Sequence, residues 1–140
     1  MTEAEDRRIE LFFYGLFMDE ALLRAKGINP LNRRTAVVEN FSLVIGARAT
    51  LVPRAGQTVY GVLFRLTHAE VDALYSEASV SAYRPEAVSA RLADGSIVSA
   101  LCFNLPAPPS TGERNPQYAA KLRELAERIG LPQSYVSSIQ

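Results

Sequence analysis

The chain has 140 residues, and fifteen Lys and Arg balance fifteen Asp and Glu, so its formal net charge is zero. That length suits one domain, and the missing basic excess excludes the charge footprint with which nucleic-acid binders hold phosphate. Hydrophobic residues at 48% and charged residues at 21% exclude a disordered chain. The single cysteine, Cys102, cannot form an intrachain disulfide, and the single histidine, His68, cannot build a metal cluster. The start Met1–Arg8 is charged, without the apolar centre of a signal peptide. Nowhere does an apolar run approach the ~20 residues of a membrane span. The expectation is a cytoplasmic protein with no membrane or nucleic-acid partner and no metal or organic cofactor.

In chain order, residues 1–8 read as a flexible polar tail and 9–140 as one domain. Ile9–Tyr14 is a short apolar run of buried-strand length, ended by Gly15. Asp19–Lys26 reads as a helix with Asp19 as N-cap and Gly27 as stop. Thr35–Val38 and Phe41–Ala47 are β-type runs separated by Glu39-Asn40. Leu51–Pro53 is edge-like, because proline cannot donate to a ladder, and Arg54–Gly56 reads as a turn. Thr58–Leu66 is the strongest strand, with Gly61 marking a bulge or a close approach. Thr67 and Glu70 make a capping box for a helix that carries Val71 and Leu74 on one face and ends near Ser76. Glu77–Tyr83 is a polar loop. Ala87–Leu92 and Ile97–Leu105 form a hairpin around Asp94-Gly95. Pro106–Asn115 reads as a surface loop. Asn115 and Pro116 open an amphipathic helix through Leu122, Leu125 and Ile129, which Gly130 stops. Central strands with dispersed helices predict an α+β fold, its sheet antiparallel or mixed and curled toward a barrel.

Two segments carry possible chemistry. Between the first strand and the first helix, the Tyr14–Met18 loop has amides without ladder partners, and such amides attract an anion. The competing reading is a plain turn whose apolar side chains pack inward, with Asp19 occupying some amides. The second is Glu77, between a helix end and a strand and followed by Tyr83. A desolvated carboxylate there would suit a general base, whereas a solvated loop glutamate is the ordinary alternative. Glu86 is a weaker candidate. His68 reads as a surface residue, Cys102 as a core thiol, and Arg33-Arg34 as a solvated pair. Tyr60 and Phe64 are either core or cavity lining.

Tyr14-Gly15-Leu16-Phe17-Met18 after a short strand resembles the Tyr-Gly-Ser-Leu-Met-type loop of γ-glutamylcyclotransferase-like proteins, a group that includes the AIG2-like domains. The resemblance continues through Val59–Phe64, the helix with Leu74, then Glu77, Tyr83, Asp94-Gly95, Tyr118 and the Gly130–Val136 stretch. Leu16 stands where the family has serine, Leu74–Glu77 is slightly shorter than its counterpart, and Phe103 replaces an aromatic hydroxyl. The resemblance implies a small mixed β-barrel with peripheral helices. It also implies release of 5-oxoproline from a small γ-glutamyl amine or amide, without a cofactor, by a monomer or homodimer. Glu77 would then be the general acid–base. Tyr14, Gly15, Leu16, Phe17, Met18 and Tyr83 would contact substrate. Two alternatives stay open: a non-catalytic domain of the same fold that binds a small acidic metabolite, and a protein-interaction module.

Overall fold

The computed structural model describes residues 7–140, so most of the expected tail, residues 1–6, lies outside the described residues. Arg8 belongs to the body, where it opens β1 and pairs with Thr67. Five strands, β1 (Arg8–Phe13), β2 (Leu31–Ile45), β3 (Ala49–Thr67), β4 (Arg84–Leu92) and β5 (Ile97–Asn104), close into a barrel in the order β1-β3-β2-β4-β5. Each neighbouring pair is antiparallel except β1 and β5, which close the barrel in parallel at Leu11 and Leu101. Among the described residues four α-helices accompany it: α1 (Glu20–Ala25), α2 (His68–Leu74), α3 (Pro116–Arg128) and α4 (Gln133–Ser138).

The expected β-runs in the first half merge into two long strands. Thr35–Val38 and Phe41–Ala47 belong to β2, and Leu51–Pro53 and Thr58–Leu66 belong to β3. The breaks expected at Glu39-Asn40 and Arg54–Gly56 are the two sides of one irregularity in the β2–β3 ladder. Glu39 pairs with Thr58 and Phe41 pairs with Pro53, so Asn40 stands opposite the stretch 54–57. Asn40 (φ 67°) and Gly56 (φ 83°) take up the left-handed backbone, and the Gly56 amide donates to Asn40 Oδ1 at 3.1 Å. The proline is tolerated because the irregularity begins beside it.

Successive strand side chains point to opposite faces, so burial of Leu11, Phe12 and Phe13 means both faces of β1 are covered. The same holds for Val62, Leu63 and Phe64 on β3. Each such side chain contributes roughly 1.5–3 kcal/mol by leaving water. Gly61 lets these strands approach: a Cβ there would meet the Phe13 carbonyl oxygen at 2.3 Å and the Phe12 ring at 2.6 Å. Outside, α3 buries Ala119, Leu122, Leu125 and Ala126 on one stripe. Asn115 caps it by accepting from the Tyr118 amide at 3.1 Å. The short α4 was not expected from the sequence. It is held by buried Val136 and Ile139, and Arg123 donates to the Ile139 carbonyl at 2.7 Å. Among the described residues no helix is long and apolar enough to cross a membrane.

Candidate active site

A cavity of about 360 Å³ opens at the barrel end where β1 and β5 finish, β4 begins and β2 turns into β3. Its lining is mostly aromatic and apolar, from Phe12 and Phe13 of β1 to Tyr75, Tyr83, Phe103 and Tyr118. Its charged groups are Lys26, Arg48 and Glu77. Such a shape, apolar walls with a few convergent polar groups, is how small-molecule sites are built.

The strand-to-helix loop forms one wall through Tyr14, Gly15, Leu16 and Phe17. Residues Leu16–Met18 make one 3₁₀ turn, closed by the Met18 amide on the Gly15 carbonyl and the Asp19 amide on the Leu16 carbonyl, both at 3.0 Å. Met18 therefore leaves the set of candidate contacts: its amide is used, and its side chain is buried in the core, away from the lining. Asp19 does not fill the loop. Its carboxylate accepts from the Ala21 amide at 3.0 Å, capping α1. The Leu16 and Phe17 amides are not donors in either turn bond, and the Leu16 amide lies against the Tyr118 phenol. Gly15 permits that approach, since a Cβ there would stand 2.5 Å from the Tyr118 hydroxyl.

Glu77 lies on the opposite segment, three residues past α2, and lines the same cavity. Both its oxygens accept from Lys26 Nζ, at 2.8 and 2.9 Å. Lys26 follows α1, so the ion pair ties the two walls together. Glu86 is elsewhere engaged: its carboxylate accepts from Asn104 Nδ2 at 2.8 Å and is not in the lining.

The tyrosines shape the remaining wall. Tyr75 stacks on Phe103 with ring centres 3.9 Å apart, and Tyr14 donates to the Phe103 carbonyl at 2.8 Å. The Tyr83 hydroxyl donates to the Ala49 carbonyl. Burial raises the pKa of Tyr14, Tyr75 and Tyr83, and pushes Tyr118 up to about 12. All four therefore stay neutral near pH 7 and act as hydrogen-bonding groups, not bases. Tyr60 pairs with Tyr135, at 5.1 Å between ring centres, and Phe64 is fully buried; neither lines the cavity.

The cavity thus gathers Glu77, Tyr83 and Tyr14–Phe17. Lys26, Arg48 and Tyr75 join the lining without a local sequence signal: Lys26 reads as a helix end, Arg48 sits in a tight turn, and Tyr75 is one residue between a helix and a loop.

No curated protein matches the sequence. Among solved structures, one described as a gamma-glutamyl cyclotransferase superposes with a TM-score of 0.80 at 18% identity, over 96% of this chain and 89% of that one. An uncharacterized protein from Homo sapiens follows at 0.77 and 20%, over 95% and 88%. YkqA from Bacillus subtilis gives 0.75 and 23%, over 94% of this chain but 52% of that one. At these identities the likeness establishes the fold, the closed mixed barrel already described. The sequence itself matches the model of the family described as Gamma-glutamyl cyclotransferase, AIG2-like, over residues 11–121, and the chain belongs to that family.

Proposed function

We propose that the protein releases 5-oxoproline from a small γ-glutamyl amine or amide by intramolecular aminolysis, with Glu77 as the general acid–base. The substrate's α-amine attacks its own γ-carbonyl carbon, a new C–N bond closes the five-membered ring, and the original amide C–N bond breaks. One proton passes from the attacking amine through the Glu77 carboxylate to the departing nitrogen. Nucleophile and electrophile belong to one molecule, so holding it folded supplies much of the acceleration. The Leu16 and Phe17 amides would take the substrate's α-carboxylate, and Tyr14, Gly15 and Tyr83 would shape the space around it. The observation that carries this reading is that Glu77 and the Gly15–Phe17 loop line one cavity.

A second reading has its own support. Lys26 holds both Glu77 oxygens at the cavity wall, and a proton relay needs one of them turned to both the amine and the departing nitrogen of the substrate. If neither oxygen turns so, the cavity binds a small acidic metabolite without turning it over. The test is 5-oxoproline release from a panel of γ-glutamyl amines and dipeptides, with Glu77→Gln in parallel. The proposal expects release by the wild type and a roughly 10²–10⁴-fold fall in kcat for the variant, with KM little changed. Binding without release anywhere in the panel favours the second reading. An equally active Glu77→Gln removes Glu77 from the mechanism.

A further inference from the structure

We infer that the Tyr75 hydroxyl is a ligand-contacting donor of the cavity, and that it reads an uncharged carbonyl oxygen lying between the ligand's carboxylate and Glu77. The inference rests on the reaction proposed above, in which that oxygen belongs to the γ-carbonyl under attack.

The first observation is how the phenols of the cavity are engaged. Tyr14 donates to the Phe103 carbonyl, Tyr83 donates to the Ala49 carbonyl, and Tyr118 has the Leu16 amide against its oxygen. Tyr75 lines the same cavity, yet among the described residues its hydroxyl has no hydrogen-bond partner. Nor is that hydroxyl sealed off, because among the described residues only the Tyr135 hydroxyl is fully buried and without a partner. Burial is the largest cause raising the Tyr75 pKa, with the Cys102, Tyr83 and Tyr118 groups adding to it, so the oxygen faces the interior of the mouth and not open water. An unpaired hydroxyl in an apolar cavity is where a ligand's polar atom belongs, since burying that atom without a partner is costly.

The second observation is that three other segments hold the ring. It stacks on Phe103 of β5, 11° from parallel with centres 3.9 Å apart. The Phe17 ring of the loop meets it edge-on at 6.0 Å, and the Tyr83 ring lies at 6.4 Å. Its backbone closes α2, where the Tyr75 amide donates to the Val71 carbonyl at 3.1 Å. A donor on a ring so packed is preorganised. Position then selects the acceptor. Tyr75 meets the loop wall through Phe17 and precedes Glu77 by two residues, so it stands between the amides offered to a carboxylate and the acid–base group. A charged group against this neutral wall would lose its water without a counter-charge, whereas a carbonyl oxygen needs only a donor. As the amine adds to the γ-carbonyl carbon, the C=O π pair moves onto that oxygen. The phenol keeps its proton, and its hydrogen bond strengthens as the charge develops.

The test separates this inference from the reaction. The acid 5-oxohexanoate carries a carboxylate and a carbonyl at the spacing of a γ-glutamyl group, and hexanoate has a methylene in place of that carbonyl. Neither can form a lactam, so NMR titration reads binding alone. Tyr75→Phe keeps the stacked ring and removes only the hydroxyl. The wild type is expected to favour 5-oxohexanoate over hexanoate by about 3–10-fold more than Tyr75→Phe does, the range of one neutral hydrogen bond. On whichever member of the γ-glutamyl panel is turned over, the variant should lose about 10²–10³-fold in kcat, with an unchanged Tm showing that the fold is intact. The same ratio in both proteins, binding of neither acid, or an unchanged kcat would overturn the inference. A ratio that depends on Tyr75 without release from any member defeats the reaction and leaves Tyr75 its contact; release with the same ratio in both proteins does the reverse.

Discussion

Gly15 sits where the loop wall meets α3, and its replacement tests how that wall is built. In Gly15→Ala the new Cβ would stand 2.5 Å from the Tyr118 hydroxyl, closer than such atoms come, while the next atom, Tyr118 Cζ, is at an ordinary 3.9 Å. The backbone at Gly15 (φ −113°, ψ −151°) is extended, so the cost arises from this one contact and not from backbone strain. Overpacking of this kind costs about 1–3 kcal/mol. A hydroxyl at the end of a side chain can move more easily than backbone, which puts the expectation near the lower end. Removing that oxygen removes the clash, so in a Tyr118→Phe background Gly15→Ala should cost less than about 0.5 kcal/mol. The coupling energy, about 0.5 kcal/mol or more, is read from urea denaturation of the four proteins of the double-mutant cycle. Equal costs of Gly15→Ala in both backgrounds, or no cost in the wild type, would refute the reasoning and with it the role of Gly15 in admitting the phenol.

Gly61→Ala meets backbone and not a mobile tip, so it should destabilise by about 3 kcal/mol and lower Tm by roughly 10 °C, measured by thermal unfolding; an unchanged Tm would mean that β1 and β3 can separate there freely. Burial, with the Glu86 carboxylate adding to it, pushes the Cys102 thiol from 9.0 up to about 12. The native thiol should therefore resist alkylation at pH 8 and react promptly in urea. Because the folded pKa is the higher one, its contribution to stability is complete below the unfolded value and is lost as pH rises from about 9 toward 12. Denaturation midpoints across that window check the sign.

Signals confined to one turn of chain were legible in the sequence. Thr67 and Glu70 form the expected reciprocal cap, Asn115 and Pro116 open α3, and Gly95 (φ 89°) turns the β4–β5 hairpin. Turn residues misled where a ladder absorbed them: Asn40 and Gly56 looked like breaks between strands, yet they bond to each other across one continuous pair. The helix α4 escaped because its six residues carry little helical preference, and its order comes from burying Val136 against the body. At the site, the resemblance pointed to the loop and to Glu77, and the slightly shorter Leu74–Glu77 stretch still leaves Glu77 in the lining. Lys26 and Arg48 were invisible for a physical reason. Their meaning lies in what they face across the barrel mouth, and no local pattern encodes a distance between segments that meet only in three dimensions.

The parallel closure of β1 against β5 bears on how the protein folds and how a ligand would act on it. The β2–β3 and β4–β5 pairs are sequential hairpins whose ends meet at small entropic cost, whereas Leu11 must find Leu101 across most of the chain. Closure is therefore the pairing of longest range in the barrel. The mouth of the cavity needs the end of β1, the end of β5 and the turn between β2 and β3 at once, so a partly zipped barrel has no binding site. Any small molecule that occupies the mouth binds only the finished barrel, and by mass action it draws the whole ensemble toward that state. A rise in melting temperature on adding a ligand would then report ring closure itself, and it would be visible even for a compound the protein never transforms.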